Sequence, residues 1–542
     1  MLDVQRAFTK VTEKEMPVDD AAADATRFDE REATKREGAP RERELETKRA
    51  LAIAKRAIAS ARCAIRARKD EGKSEQREKG CDAFAFAGAI AGVGVGARMR
   101  VANASEFALG EGVNVSDVRS RTSANVVIRA LEVGARGNVA RASGGTRYAC
   151  ARGEPGARGV DSVPSACLKH LEAIVRALEE DGKEGEEDAR ARAEAEVNAW
   201  ALTSAAFAED ARGAKRGTAA DVHRRRASVS AWLREQVSRT QQVEASADGR
   251  RAASTHAKSG RTVSAARAAA AHGDPRLATC MAQIGAGKNL SFYAKQQLNR
   301  WRSGSVGTYV SPESEEAFKL LAGEVARDDD GMGWYQNFGL HLWLAAGPTS
   351  SLRDVVKSYC DAVKLRKAAN PSPPVASAAT LEANKATHLR DVAFNILDIA
   401  ASAEDGSSPS TAQIRLAFHP LTYSDDVLNA SLAWHLFMML NAIDVIHGDD
   451  VDALADEFTV AFVTQLATLP ERSICVWIVF VAQHLRDKTR REKLTGHILR
   501  ERFEDWNGDD AKVAFLLNEC AVHQSALDEA KSLWFTYSHP RA

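Results

Sequence analysis

The sequence predicts an all-α protein, an irregular helical solenoid preceded by a disordered N-terminal stretch and a short β-insertion. Three observations lead there. From about residue 163 to 542, segment after segment repeats apolar residues three and four apart, broken by short runs of Gly, Pro, Asp and Ser. No heptad continues from one segment to the next and no period of about 34 or 40 residues recurs, which argues against a coiled coil and against the common helical repeats. Finally, 542 residues far exceed the roughly 250 at which a single core stops growing.

Residues 1–80 are rich in Ala, Arg, Glu and Lys with almost no aromatics. Such a composition buries too little apolar surface to offset ordering entropy. One helix over 45–68, carrying Leu51, Ile58 and Ile65 seven apart among Lys55, Arg56, Arg62 and Arg66, is expected as a solvated Ala-rich helix, with a basic surface for membrane or RNA as the alternative. Between 82 and 136 the pattern turns to "DAFAFAGAIAGVGVGARMRVANA" and "TSANVVIRALEVGAR", where Val and Ile bounded by Gly and Asn suggest a few short strands. Two or three strands are barely stable alone and call for a pairing partner. Residues 137–162 are expected as a linker, and 163–542 as the solenoid.

Lys plus Arg and Asp plus Glu are equal at 74 each, so no global field gathers nucleic acid or anionic lipid, and direct nucleic-acid binding is not expected. The eight cysteines are scattered without a CxxC pair, unlike a disulfide framework or a zinc finger. The longest apolar run, "ICVWIVFVA" at 474–482, is about half of a membrane span, so no transmembrane segment is expected. The N-terminus lacks the apolar stretch of a signal peptide. These features suggest a soluble protein of the nucleus or cytoplasm.

Motifs of chemistry fail on inspection. Gly92, Gly94 and Ala97 have the spacing of a dinucleotide loop, but "RMRVANASEF" follows where a helix is required. "GAGKN" at 285–289 has Ala282 in place of the first glycine of a phosphate loop and Asn289 in place of its Ser or Thr. "RDDDG" at 327–331 lacks EF-hand spacing and suggests a solvated turn. His341 in "GLHLWL" and His435 in "SLAWHLFMML" have no His or acid at i+3 or i+4, and helices apolar all round imply burial in the middle of a stack rather than a metal site. Hence no enzyme, no cofactor and no metal are expected.

The ordered series "NAWALTSAAF", "RRRASVSAWL", "AAAHGDPRLATCMAQIGAGKNLSFYAKQQLNRW", "EEAFKLLAGEVA" and "WYQNFGLHLWLAAGPTSSLRDVVKSY" resembles the helical region of the nucleoporin ninety-six family. The likeness continues through "LRDVAFNILDIA", "FHPLTYSDDVLNASLAWHLFMMLNAI", "ICVWIVFVAQHL" and "AFLLNECAVHQSALDEAKSLW", covering roughly 165–542. It implies an ancestral coatomer element: a solenoid folded back on itself into crown, trunk and tail, serving as a structural scaffold in the Y-shaped nuclear pore coat. That role supports pore assembly, nucleocytoplasmic protein transport and mRNA export at the nuclear envelope. It also implies an N-terminal β-insertion that completes the open propeller of Sec-thirteen, and contacts with other Y-complex nucleoporins through the crown. The apolar positions such a blade would offer here are Val93, Val95, Met99, Val101, Val126, Ile128 and Leu131. The single Phe-Gly dipeptide, Phe338 and Gly339, falls in a helical stretch, and no His-Phe-Ser self-cleavage motif is present. The sequence stops at Ala542, where family members run on into further tail helices. A vesicle-coat subunit of the same architecture is the alternative, and an enzyme built on the Gly92 loop a distant third.

Overall fold

The structure is a computed structural model. It describes residues 124–538 apart from 138, 143–144, 149–161, 181–186, 209–217, 241–248, 285–287, 305–308, 325–331, 348 and 375–388, and upstream of them only Lys55 and Ile58. Among the described residues are twenty α-helices and one β-hairpin. Helix α1 (Ala124–Gly137) leads into β1 (Val139–Ala142) and β2 (Gly145–Tyr148), then α2 (Val163–Glu180), α3 (Glu187–Phe207) and α4 (Ala219–Thr240). Five helices follow: α5 (Gly249–Lys258), α6 (Thr262–Ala271), α7 (Pro275–Ala282), α8 (Lys288–Ser303) and α9 (Pro312–Ala322). The chain continues through α10 (Trp334–Leu340), α11 (Leu352–Lys364), α12 (Val392–Ser402), α13 (Thr411–Ala417), α14 (Ser431–Ala442), α15 (Val451–Thr468) and α16 (Ile474–Ala482). It ends with α17 (Lys488–Glu501), α18 (Phe503–Trp506), α19 (Asp510–Asn518) and α20 (Gln524–Ser538).

Neighbours in sequence mostly pack as neighbours in space: α1 on α2, α2 on α3, α3 on α4, α5 on α6, α6 on α7, α14 on α15, α15 on α16 and α16 on α17. This is the stacking of a solenoid. Other contacts break the linear order, three of them joining distant parts of the chain. Helix α3 packs on α12, and α1 packs on both α14 and α16, so the start of the described chain lies against its later half. The array is folded back on itself.

The reason lies in α14. All twelve of its residues are buried, so it needs neighbours on every side. Helix α16, with eight buried residues out of nine, has the same need. Their apolar surfaces join those of α1–α4, α10–α12 and α15 in one large core. The five helices α5–α9 pack around two smaller clusters of their own, the first built largely of Ala253, Ala257, Ala265 and Ala269.

Helix ends are closed by local chemistry. Asp274 and Ser311 cap α7 and α9 by accepting the Leu277 and Ser314 N–H, each with Pro at the first helical position. Gly323 ends α9 at φ 72°, a left-handed conformation that glycine adopts without steric cost. Ser351 and Asp354 form a reciprocal capping box on α11. A distant carboxylate completes that end: Glu404, beyond α12, accepts the Leu352 and Arg353 N–H at 3.2 and 3.1 Å.

The strands expected over 82–136 need correction where the structure describes that segment. Residues 124–137 form a helix, and Val126, Ile128 and Leu131 lie on it. Ala124, Val127, Leu131 and Ala135 are spaced three and four apart and face the main core, so the helical period prevails over the β-propensity of Val and Ile. Val93, Val95, Met99 and Val101 lie outside the described residues. Strands occur at Val139–Ala142 and Gly145–Tyr148, in the expected linker, as an antiparallel pair with Ala142 opposite Gly145. Upstream, Lys55 and Ile58 are helical, and Ile58 is 8% exposed within the main core. That burial gives Ile58 a packing role in place of the solvated position expected for it.

Leu131 is fully buried between α1 and its neighbours, so Leu131→Ala should cost about 2–5 kcal/mol. Chemical denaturation of the chain without any partner checks this, because a strand held for a partner would leave that stability unchanged.

Buried histidines and candidate partner surfaces

The histidines of the all-apolar stretches sit in the core, and their ring contacts form a ladder across three helices and the turn past a fourth. His170 of α2 stacks on Trp200 of α3 (centroids 4.1 Å apart, planes within 2°) and meets His435 of α14 edge-on at 5.0 Å. Trp434 stands between His435 at 4.9 Å and His484, in the turn just past α16, at 5.1 Å. The Nδ1 atoms of His435 and His484 lie 2.8 and 3.1 Å from the carbonyls of Ser431 and Phe480, four residues back along the chain. Those carbonyls can only accept, so each Nδ1 carries the proton. His341 Nδ1 lies 3.0 Å from the Ser358 hydroxyl. Burial holds the His341, His435 and His484 rings neutral, with pKa values lowered to about 4. The cavity beside His170 and His435 measures about 10 Å³, the space of one water at most. Among the described residues no three His, Cys, Asp or Glu side chains converge as a metal set. The arrangement packs helices and orients rings.

A polar layer lies next to the ladder. The irregular segment joining α13 to α14 is buried from Leu421 to Asp426 and again at Asn429, so its backbone must find partners inside the protein. The Tyr423 hydroxyl donates to the Asn429 carbonyl, and Gln465 of α15 accepts the Ala430 N–H at 2.9 Å. Arg192 of α3 faces Asp425 at 3.6 Å, both nearly inaccessible. Beside them Glu196 is half-buried, and desolvation raises its pKa to about 7 against the opposing pull of Arg192 and a hydrogen bond to Asn429. Asp391, capping α12, is a second such carboxyl: burial raises it to about 7 while Trp334 Nε1, Tyr335 OH and the Ala393 N–H donate to it at 3.1, 3.4 and 2.8 Å.

Two features offer surface to a partner. The hairpin is a two-stranded sheet, and each strand of such a pair has an outer edge able to take another strand. The second is the α5–α9 unit. Val263 on α6, Phe292 and Tyr293 on α8, and Tyr309 are exposed by 63, 63, 49 and 89%. Helix α8 carries Lys288, Lys295, Arg300 and Arg302 and no acid. Its buried face is Ala294 and Leu298, with Leu290 and Trp301 beside them. Phe292 and Tyr293 fall off that stripe, and this is the one sequence signal that could have identified them: aromatic residues on the wrong face of an amphipathic helix. Glu316, a member of a carboxylate pair that sequence alone could not distinguish, ties α9 to α5 through Lys258 and Ser254.

The Glu196 carboxyl has a folded pKa above its unfolded value, so its contribution to stability is greatest at low pH and is lost as pH rises through about 7. Glu196→Gln should therefore gain on the parent chain by on the order of 1–3 kcal/mol between pH 5 and pH 8. The buried histidines act in the opposite sense, favouring the fold above pH 6.5 and withdrawing support as pH falls toward 4. Urea titrations at a series of pH values for both chains give the two limbs.

The family model for nuclear protein 96 matches residues 251–534. The chain is similar to nuclear pore complex protein NUP96 of Arabidopsis thaliana, 25% identical over 325 residues, which is 58% of this chain and 30% of that protein. It is similar also to nuclear pore complex protein Nup98-Nup96 of Drosophila melanogaster, 23% identical over 275 residues, or 48% of this chain and 13% of that protein. Nup98-Nup96 of Dictyostelium discoideum gives 23% over 274 residues, with the same two shares. Each match thus spans less than a third of the relative's length. With a folded-back helical array under more than half of its length matched, the chain belongs to the nuclear protein 96 family of nucleoporins, components of the nuclear pore complex in the nuclear envelope.

Proposed function

We propose that this chain is a structural scaffold of the Y-shaped nuclear pore coat, acting by shape and surface rather than by chemistry, and through the coat supporting pore assembly, protein transport and mRNA export. The observation that carries the reading is the fold-back: α1 against α14 and α16, and α3 against α12. It makes a stiff body from which the α5–α9 unit presents exposed aromatics, as a scaffold that joins other subunits requires. The relatives' names favour the pore over a vesicle coat. No helix among the described residues is long and apolar enough to cross a membrane, so attachment to the envelope is proposed to run through the complex.

The partners follow the same logic. A Sec-thirteen propeller is proposed at the N-terminal side, with β1–β2 (139–148) as one strand-donating element and Val93, Val95, Met99 and Val101 of the 82–123 segment as another. Affinity would come from ladder hydrogen bonds, and register from side-chain alternation. Val126, Ile128 and Leu131 are not assigned to the blade, because α1 packs on the solenoid. Other Y-complex nucleoporins are proposed to dock on α6 and α8, which this reading takes as part of the crown.

Co-expression with the same organism's Sec-thirteen propeller and size-exclusion chromatography test the first contact. Co-elution should disappear when 82–123 is removed together with replacement of 139–148 by a Gly-Ser linker; a complex that survives both changes excludes strand donation. For the second contact, Phe292→Asp should abolish capture of the partner nucleoporin while changing stability by no more than about 0.5 kcal/mol, since the side chain is exposed.

A further inference from the structure

The α5–α9 unit and the rest of the molecule have separate apolar clusters, and the seam between them runs through one turn. Phe338 and Leu342 belong to the main core and Trp343 packs against it, whereas Leu340 is buried in the alanine cluster of α5–α9, with Leu344 packed beside it. Alternate residues of one short stretch therefore serve two bodies. The backbone there departs from the α-helix: after α10, the Ala346 N–H donates to the His341 carbonyl, five residues back, at 2.9 Å. Such widened turns rotate side chains out of the regular helical register.

Three features hold this turn. Helix α4 presents Arg226, Ser230 and Arg234, each four apart and so on one face. Arg226 donates to the carbonyls of Leu342, Gly347 and Ser350 at 2.5, 2.8 and 2.6 Å, satisfying the end of the turn. Ser230 accepts the Trp343 indole N–H at 2.8 Å, and the Arg234 guanidinium lies 5.9 Å from the centre of the Trp343 ring. The indole then enters a slot between two glycines of different bodies. A β-carbon on Gly339 of α10 would stand 2.5 Å from Trp343 Cζ3, and one on Gly260, just past α5, would stand 2.5 Å from Cδ2. Gly260 also has φ of 69°, where a side chain is disfavoured. Only glycine lets the backbones approach the ring so closely on both sides.

We propose that the turn at 341–345 is an elbow, and that Trp343, seated between Gly260 and Gly339 and bonded to Ser230, sets the angle at which the α5–α9 unit leaves the main body. A packed indole between two backbones has one arrangement and is not continuously deformable. Removing it frees the unit to swing while each cluster keeps its own contacts. The elbow fixes where Phe292 and Tyr293 point. That consequence rests on the docking role proposed above, whereas the elbow itself does not, and its test needs no partner.

The experiment compares the full chain with Gly339→Ala, Trp343→Ala and the two combined, using small-angle X-ray scattering and amide hydrogen exchange. In folded Trp343→Ala and Gly339→Ala chains the scattering profile should shift, and exchange should speed up by about tenfold at 258–262 and 339–347 with α14 unchanged, the signature of local rather than global opening. The double variant should match Trp343→Ala, because the added methyl then has room. Scattering and exchange identical to the parent would overturn the proposal, as would acceleration spread evenly over the whole chain. Should Trp343→Ala fail to fold, Ser230→Ala removes only the indole hydrogen bond and should give a smaller shift at the same amides; no shift there overturns the elbow.

Discussion

Helix α14 cannot exist without neighbours on every side, and much of the architecture follows from that. A twelve-residue helix with every residue buried would expose Leu432, His435 and Met439 on one side, or Trp434 and Phe437 on the other, in any linear stack that left that face open. Each such apolar side chain forfeits roughly 1.5–3 kcal/mol when left in water. The chain closes that face with α1, more than three hundred residues earlier in sequence numbering. Helix α16 then leans on the same α1, and α3 settles against α12. Fold-back is thus the requirement of a few all-apolar helices, met by the amphipathic helices that precede them.

Polar groups are buried where this closure needs a fixed register. The ladder from Trp200 through His170, His435 and Trp434 to His484 contains rings whose geometry permits few sliding alternatives. Arg192 opposite Asp425, and Glu196 beside Asn429, tie α3 to the buried segment before α14. Such groups add little net stability, since desolvation offsets attraction. What they exclude is every other alignment of α3, because a one-turn shift would leave charges buried without partners.

Much of the helical order was legible in the sequence because three-and-four spacing is a strong signal over long stretches. The burial of "SLAWHLFMML" could be read from residues apolar all round, and Phe338 and Gly339 fall in a helix as expected. The histidines could be assigned to packing because His341 and His435 lack ligand spacing. Helix α1 was missed, since Val126, Val127 and Ile128 carry strand propensity and the decisive fact, the core met by Val127 and Leu131, is tertiary. The hairpin falls in a stretch read as linker, because strands of four residues are too short to show an alternating pattern. Glu404 reaching the N-terminus of α11 from some fifty residues away, and the indole of Trp343 between Gly260 and Gly339, leave no local trace in a sequence. Exposed Phe292 was hidden by its neighbours, because the stripe of Leu290, Ala294 and Leu298 dominates the reading of α8.

The two kinds of core explain how the molecule divides its work. In the main body large side chains such as Phe394, Phe437, Trp434 and Phe480 fill the space between helices, giving much apolar area per helix. Between α5 and α6 the contacts are made by alanines, which let backbones approach closely but bury less area each, so local opening there should require less free energy. The scaffold role proposed above would gain from that asymmetry. The body with the larger side chains is the one hardest to deform, whereas Val263 of α6 and Phe292 and Tyr293 of α8 stand exposed on the softer unit, where a partner of the kind proposed would cover them. Phe292 and Tyr293 cost the isolated chain little, because two exposed rings on a soluble surface are tolerated, and covering them gives apolar area to an interface without weakening the core that carries it.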